Sequence, residues 1–176
     1  MTQEAHQKEV IVAENGNILI RAAINGVQIT VAKRDLDNED FTDPNFFDDD
    51  WSPAAATGFV VWQGTFLFVK MLQEELASKL VGKRVLELGS GIGLAGLCAA
   101  AMGAHVLQTD LPSVVYGALI PNIIQNTANA PPQPLADSTN RGESGDATAG
   151  DNRSLSPDKW RGARALGGGS VAALAL

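Results

Sequence analysis

Three features of the 176-residue chain predict an α/β fold. The run Lys83-Arg84-Val85-Leu86-Glu87-Leu88 has the apolar character of a buried central strand, and it runs into a glycine-rich turn, Gly89-Ser90-Gly91-Ile92-Gly93. After the turn, Leu94 to Met102 reads as a helix and His105-Val106-Leu107-Gln108-Thr109 as a second strand, which is the order of a parallel sheet. Upstream, short β-rich runs separated by Asn-Gly pairs predict a small antiparallel meander. The expected architecture is a partial Rossmann-like sheet, its first two or three parallel strands carried with their helices and preceded by that meander.

In chain order, Val10-Ile11-Val12, Asn17 to Arg21 and Val27 to Val31 are the meander strands of a 1–34 unit. Asn15-Gly16 and Asn25-Gly26 punctuate them, because both residues of such a pair tolerate the positive φ of a tight hairpin. Residues 35–54 form an acidic loop. From Gln63 to Leu80 the apolar positions Phe66, Val69, Leu72, Leu76 and Leu80 recur every three or four residues, the spacing of one helical face. Gly82 closes that helix and Gly103 closes the one after the glycine turn, in the position a helix C-terminus favours. Asp110-Leu111-Pro112 opens a further helix running towards Asn126, with Pro121 inside it as a source of kinking. Residues 55–128 make up the sheet-and-helix unit. Residues 129–170, rich in Pro, Gly, Ser, Asp and Asn, bury too little apolar surface to offset the entropy of ordering and are expected to be disordered. Residues 171–176 begin a third strand.

Composition narrows the function. No run of 18 or more apolar residues occurs, and the N-terminus carries neither a basic nor an apolar leader, so the expectation is a soluble protein that is not exported. A cytoplasmic location is expected, with the nucleus as the second choice. The single Cys98 lies in an apolar helix and reads as a core residue; no metal site is expected. Eight acids and no base lie between Asp35 and Asp50, and removing them from the formal charge of −7 leaves the remainder at +1. Such a block is either a solvated loop or a rim that attracts a basic protein partner. Without a basic groove, nucleic acid is not an expected partner, and neither is a membrane.

The chemistry concentrates at the glycine turn. A nucleotide-like ligand reaches a backbone closely only where Cβ atoms are missing, so Gly89, Gly91 and Gly93, with Ser90, suit a turn between a strand and a helix. Asp110, seventeen residues beyond Gly93, ends the second strand, where an acceptor-only carboxylate faces ribose hydroxyls; capping the following helix is its other role. Gly91 to Gly96 also satisfies G-x-G-x-x-G, so a dinucleotide is the alternative ligand. Glu87 argues for a ligand with a cationic amino-acid end, such as S-adenosylmethionine, because a charged residue near the end of a central strand is costly unless it finds a partner.

At these residues the chain resembles the methyltransferase-like 21 family of protein-lysine methyltransferases, seven-strand enzymes of the S-adenosylmethionine-dependent class. The matching pieces are Gly58-Phe59-Val60-Val61-Trp62, Gly82 through Leu97, Gly103-Ala104-His105-Val106, Thr109-Asp110-Leu111-Pro112 and Asn122 to Asn126. The resemblance implies S-adenosylmethionine as cofactor, a protein substrate presenting a lysine, and cofactor contact by Trp62, Gly89, Ser90, Gly91 and Asp110. Trp62 has a second reading as a core aromatic. The family's later strands and its acid-rich fourth-strand motif have no counterpart here, so the chain is expected to be C-terminally truncated and no catalytic residue is assigned. A small-molecule methyltransferase and an inactive interaction module are the other functional readings.

Overall fold

The computed structural model describes residues 9–12, 17–35, 57–128 and 163–176. The expected turn at Asn15-Gly16, the acidic loop and most of the 129–170 segment lie outside them.

The meander is a three-stranded antiparallel sheet, β1 (Glu9–Val12), β2 (Asn17–Ile24) and β3 (Val27–Arg34), in that spatial order. Asn25 and Gly26 both take positive φ, 49° and 77°, which is the backbone of the tight hairpin that their sequence predicts. Ile20 and Ile24 on β2 pair with Val31 and Val27, and Ile29 lies between them. Ile20, Ile24, Ile29 and Val31 are fully buried and belong to the same core as the helices that follow.

The predicted helix over 63–80 forms as α1 (Gln63–Met71), a π-helical turn Leu72–Leu76 and α2 (Ala77–Leu80). Val69 and Leu72 are buried, and Phe66, Leu76 and Leu80 pack against the core, as the spacing requires. Strand β4 (Arg84–Leu88) leads through the glycine turn into α3 (Leu94–Ala101), whose every side chain is buried. Helix α3 ends in a Schellman arrangement: Gly103 N–H donates to Ala100 O at 2.9 Å and Ala104 N–H to Ala99 O at 3.1 Å. Strand β5 (His105–Asp110) follows, then α4 (Pro112–Val114), a π-helical turn Val115–Leu119 and α5 (Ile120–Thr127). The irregularity expected at Pro121 falls one turn upstream, where the proline has no N–H for the carbonyl of residue 117.

The second sheet has the order β4-β5-β7-β6, with β6 (Arg164–Leu166) antiparallel to β7 (Gly169–Ala175) and the other pairs parallel. Two expectations are corrected here. Residues 164–170, placed in the disordered segment by composition, are part of a hairpin; the third parallel strand begins at Gly169 rather than Val171 because Gly169 fits against the carbonyls of Ala100 and Ala104, where a Cβ has no room. Strand β4, expected to be central and buried, is at the end of the sheet that the described residues form. Its register forms rows across the sheet: Val85, Val106 and Val171, then Glu87, Gln108 and Ala173, face the helices. Leu86, Leu107 and Ala172, with Leu88, Thr109 and Leu174, form the opposite face, on which Leu86, Leu88 and Leu174 are 61%, 69% and 50% exposed.

Candidate functional site

Carboxyl ends of neighbouring parallel strands are where open α/β sheets bind ligands. Here those ends are Leu88 on β4 and Asp110 on β5. Ser90 joins them: its N–H donates to Thr109 O at 3.0 Å, its Oγ accepts from Thr109 N–H at 3.1 Å, and Thr109 Oγ1 donates to Glu87 O at 2.8 Å. The Asp110 carboxylate then grips the glycine turn, with Oδ2 accepting from Gly91 N–H and Oδ1 from Leu111 N–H, both at 2.7 Å. Asp110 makes no bond to the later N–H groups of α4, so it holds the turn rather than capping the helix. Each oxygen keeps lone pairs for hydroxyl donors.

These groups line a cleft of about 240 Å³, whose opposite wall is residues 57–62 with Thr65. Trp62, Glu87, Gly89, Ser90, Gly91 and Asp110 all face it. Trp62 is 63% exposed at the start of α1, so it is a wall of the cleft and not a core aromatic.

Only part of the glycine pattern serves the opening. A Cβ at Gly89, where φ is +66°, would meet nothing within 4 Å; this is the position that leaves the backbone open to a ligand. At Gly91 a Cβ would stand 3.0 Å from the Gly58 carbonyl, so its absence lets the opposite wall close on the turn. At Gly93 the space a Cβ would need is taken by Leu119 Cδ1 and the Gln108 amide, and at Gly96 by the Gln108 and Glu87 side chains. Gly93, expected to contact a ligand, is buried at the N-terminus of α3 and does not line the cleft. Its glycine answers to packing.

Glu87 lies on the helix-facing side of β4 with Gln108 beside it on β5. Gln108 Nε2 donates to Glu87 Oε2 at 2.8 Å and to Gly93 O at 3.0 Å. Burial pushes the Glu87 carboxyl above its usual 4.5; hydrogen bonds from Gln108, Ser90 and the Gly96 backbone pull it back in part, and the Asp110 charge adds to the rise. Among the described residues no cation stands against this half-buried carboxylate, and a cationic group entering the cleft would supply a partner. Cys98, buried behind it, is pushed up to about 12 by its burial and by the Glu87 charge, which makes it an inert core thiol. These acceptors therefore fit a nucleoside with a ribose diol at Asp110 and a cationic amino-acid end at Glu87.

Sequence reasoning missed Gln108, although a polar residue between the buried Val106 and Thr109 positions was its signal. It also missed Thr57, Val60, Val61, Thr65, Ile92, Leu94 and Ala95, whose places on the cleft come from chain folding rather than residue type.

Comparison with known proteins gives a consistent result. The family described as lysine methyltransferase matches residues 47–136, just over half of the chain. Protein-lysine methyltransferase METTL21E of Bos taurus is 41% identical over 71 residues, covering 40% of this chain and 24% of its own length. EEF1A lysine methyltransferase 3 of Xenopus tropicalis is 38% identical over 77 residues, covering 43% and 34%. Protein N-lysine methyltransferase METTL21A of Danio rerio is 41% identical over 61 residues, covering 35% and 27%. The matched region spans about a quarter to a third of the length of these curated relatives.

Proposed function

This chain belongs to the lysine methyltransferase family, and we propose that it forms the cofactor-binding part of an S-adenosylmethionine-dependent methyltransferase acting on a lysine side chain of a protein. The observation that carries the reading is the pairing of the glycine turn with Asp110 at one end of a cleft and the half-buried Glu87 along it.

Bound in that cleft, S-adenosylmethionine supplies a methyl group on a sulfonium, open to in-line displacement by an amine. The chain's own residues orient and shield. Asp110 accepts from the ribose hydroxyls while holding Gly91, so one carboxylate fixes both the turn and the sugar. Glu87 faces the cationic amino group, and Trp62 covers the cleft from the opposite wall. Alignment is the main contribution such a site makes to a displacement. A lysine acceptor, with a pKa of about 10.4 in water, must lose its proton before it attacks. Among the described residues no group is assigned to accept that proton, since Glu87 and Asp110, the ionisable side chains on the cleft, both serve the cofactor.

With both carboxylates so engaged, a second reading is a chain that binds the cofactor without turnover. Calorimetric titration with S-adenosylmethionine tests binding; no heat at millimolar ligand would remove the cofactor assignment. Incubation with labelled cofactor and lysate proteins tests turnover. Label on lysine supports the first reading, binding without label the second, and label confined to small molecules refutes a protein acceptor.

A further inference from the structure

Strand β3 ends the meander sheet, so Thr30, Ala32 and Arg34 turn their backbone groups towards an edge with no neighbouring strand among the described residues. That edge faces α5 and the cleft wall, where unpaired N–H and C=O groups are costly. Two side-chain amides complete it. Asn126 Oδ1 accepts from Thr30 N–H at 2.7 Å and its Nδ2 donates to Thr30 O at 2.7 Å. Asn122 does the same at Ala32, at 2.9 and 3.2 Å. The next alternate residue, Arg34, donates its N–H to Phe59 O on the cleft wall at 3.0 Å. The match is geometric: one helical turn from Asn122 to Asn126 advances about 6 Å, and two strand residues advance about 6.8 Å.

The two amides differ in one bond. The second Nδ2 hydrogen of Asn126 returns to its own helix, to Asn122 O at 2.7 Å. That of Asn122 goes to the Ile92 carbonyl in the glycine turn, at 2.9 Å. Ile92 lines the cleft, and the neighbouring Gly91 is held by Asp110 from the other side. With all its amide hydrogens and its oxygen engaged and only 2% of its surface exposed, Asn122 has one geometry available.

We infer that Asn122 is a positioning residue for the cofactor turn, and that through it the edge of the N-terminal meander is a working part of the cofactor site. The inference rests on the cofactor reading above for its consequence, while its structural core stands without ligand. Asn126 provides the internal control, because Asn126→Ala removes the same pair of strand bonds and leaves the turn untouched.

The test uses the full chain, with amide hydrogen exchange of residues 91–94 measured without ligand and S-adenosylmethionine affinity measured by calorimetry. Asn122→Ala is expected to speed exchange in the turn by at least about fivefold, the equivalent of one hydrogen bond, and to weaken affinity by a similar factor. Asn126→Ala is expected to speed exchange at Thr30 while exchange in the turn and affinity stay within about twofold. Equal turn exchange in the two variants would overturn the inference, as would a loosened turn with unchanged affinity in a chain that binds the cofactor. Should Asn122→Ala not fold, Asn122→Ser replaces it, its hydroxyl being too short to reach Ile92. A wild-type chain that takes up no S-adenosylmethionine would sink the cofactor reading, and the ligand-free exchange comparison would still decide the role of Asn122 in the turn.

Discussion

Under the proposed cofactor reading, Glu87 is a side chain that trades stability for ligand recognition. Its carboxyl is raised above 4.5 in the folded chain, chiefly by burial, so the native state holds this proton when the unfolded state has released it. Stability is therefore greatest below about pH 4.5 as far as this group is concerned, and falls as pH rises through the raised value. Glu87→Gln keeps an acceptor for Gln108 and removes the charge. Denaturant unfolding at a series of pH values should show the variant more stable than wild type near neutrality, with the difference vanishing in acid; S-adenosylmethionine affinity should drop roughly tenfold. A variant less stable at neutral pH would mean that the carboxylate already has a cationic partner. The glycines separate along the same line between packing and opening. Gly89→Ala adds only backbone strain, about 1 kcal/mol, and should act mainly on ligand affinity. Gly93→Ala adds a clash with Leu119 and Gln108 and should cost about 2 to 4 kcal/mol in unfolding experiments. Sequence spacing gives the three glycines one appearance; which atoms occupy the missing Cβ volume depends on Gly58, Leu119 and Gln108, residues 15 to 33 positions away.

At the scale of elements, the cleft wall at 57–62 is hung on Phe59. Its ring is buried, with the Arg34 guanidinium over it 3.4 Å from the centroid and Gly117 close to its Cε1 and Cζ atoms. Gly117 lies in the π-helical turn before Pro121, and a Cβ there would stand 2.9 Å from Phe59 Cε1. Gly117→Ala should push the ring out, move Gly58 and Trp62 off the glycine turn, and weaken cofactor binding several-fold, with about 1 to 3 kcal/mol lost in thermal unfolding. Unchanged affinity would show that the wall does not need this anchor. Much of this level was legible in the sequence. The Asn25-Gly26 hairpin, the 63–80 helix face, the glycine after α3 and the acid that ends β5 each carry a local physical signal. The hairpin of β6 and β7 did not, because Gly167, Gly168, Gly169 and Ser170 look like a flexible linker until Ala100 and Ala104 are folded against them. The asparagine pair on α5 was visible only as a match to a family, since nothing in the helix announces that a strand edge will lie beside it.

For the molecule as a whole, apolar coverage is unequal on the two faces of the second sheet. Helices α3 and α5 and the turn between α4 and α5 bury Val106, Gln108 and Val171 on one side. On the other, Leu86, Leu88 and Leu174 stand exposed in adjoining rows, and β4 has no strand neighbour on its outer edge among the described residues. Edge strands with exposed apolar side chains are templates for association with further chains. The 176-residue chain alone should therefore associate as its concentration rises into the micromolar range, with a light-scattering mass that climbs with concentration. Replacing Leu86 and Leu88 together by lysine places two charges on the open face beside the unpaired edge, which opposes stacking and edge pairing alike. Because both side chains are mostly in solvent, the double substitution should change unfolding free energy by no more than about 0.5 kcal/mol per site while holding the scattering mass near that of a monomer. Association of the double variant equal to that of wild type would place the sticky surface elsewhere, and the exposed flank of α1, with Leu67, Phe68 and Met71, would be the next to test.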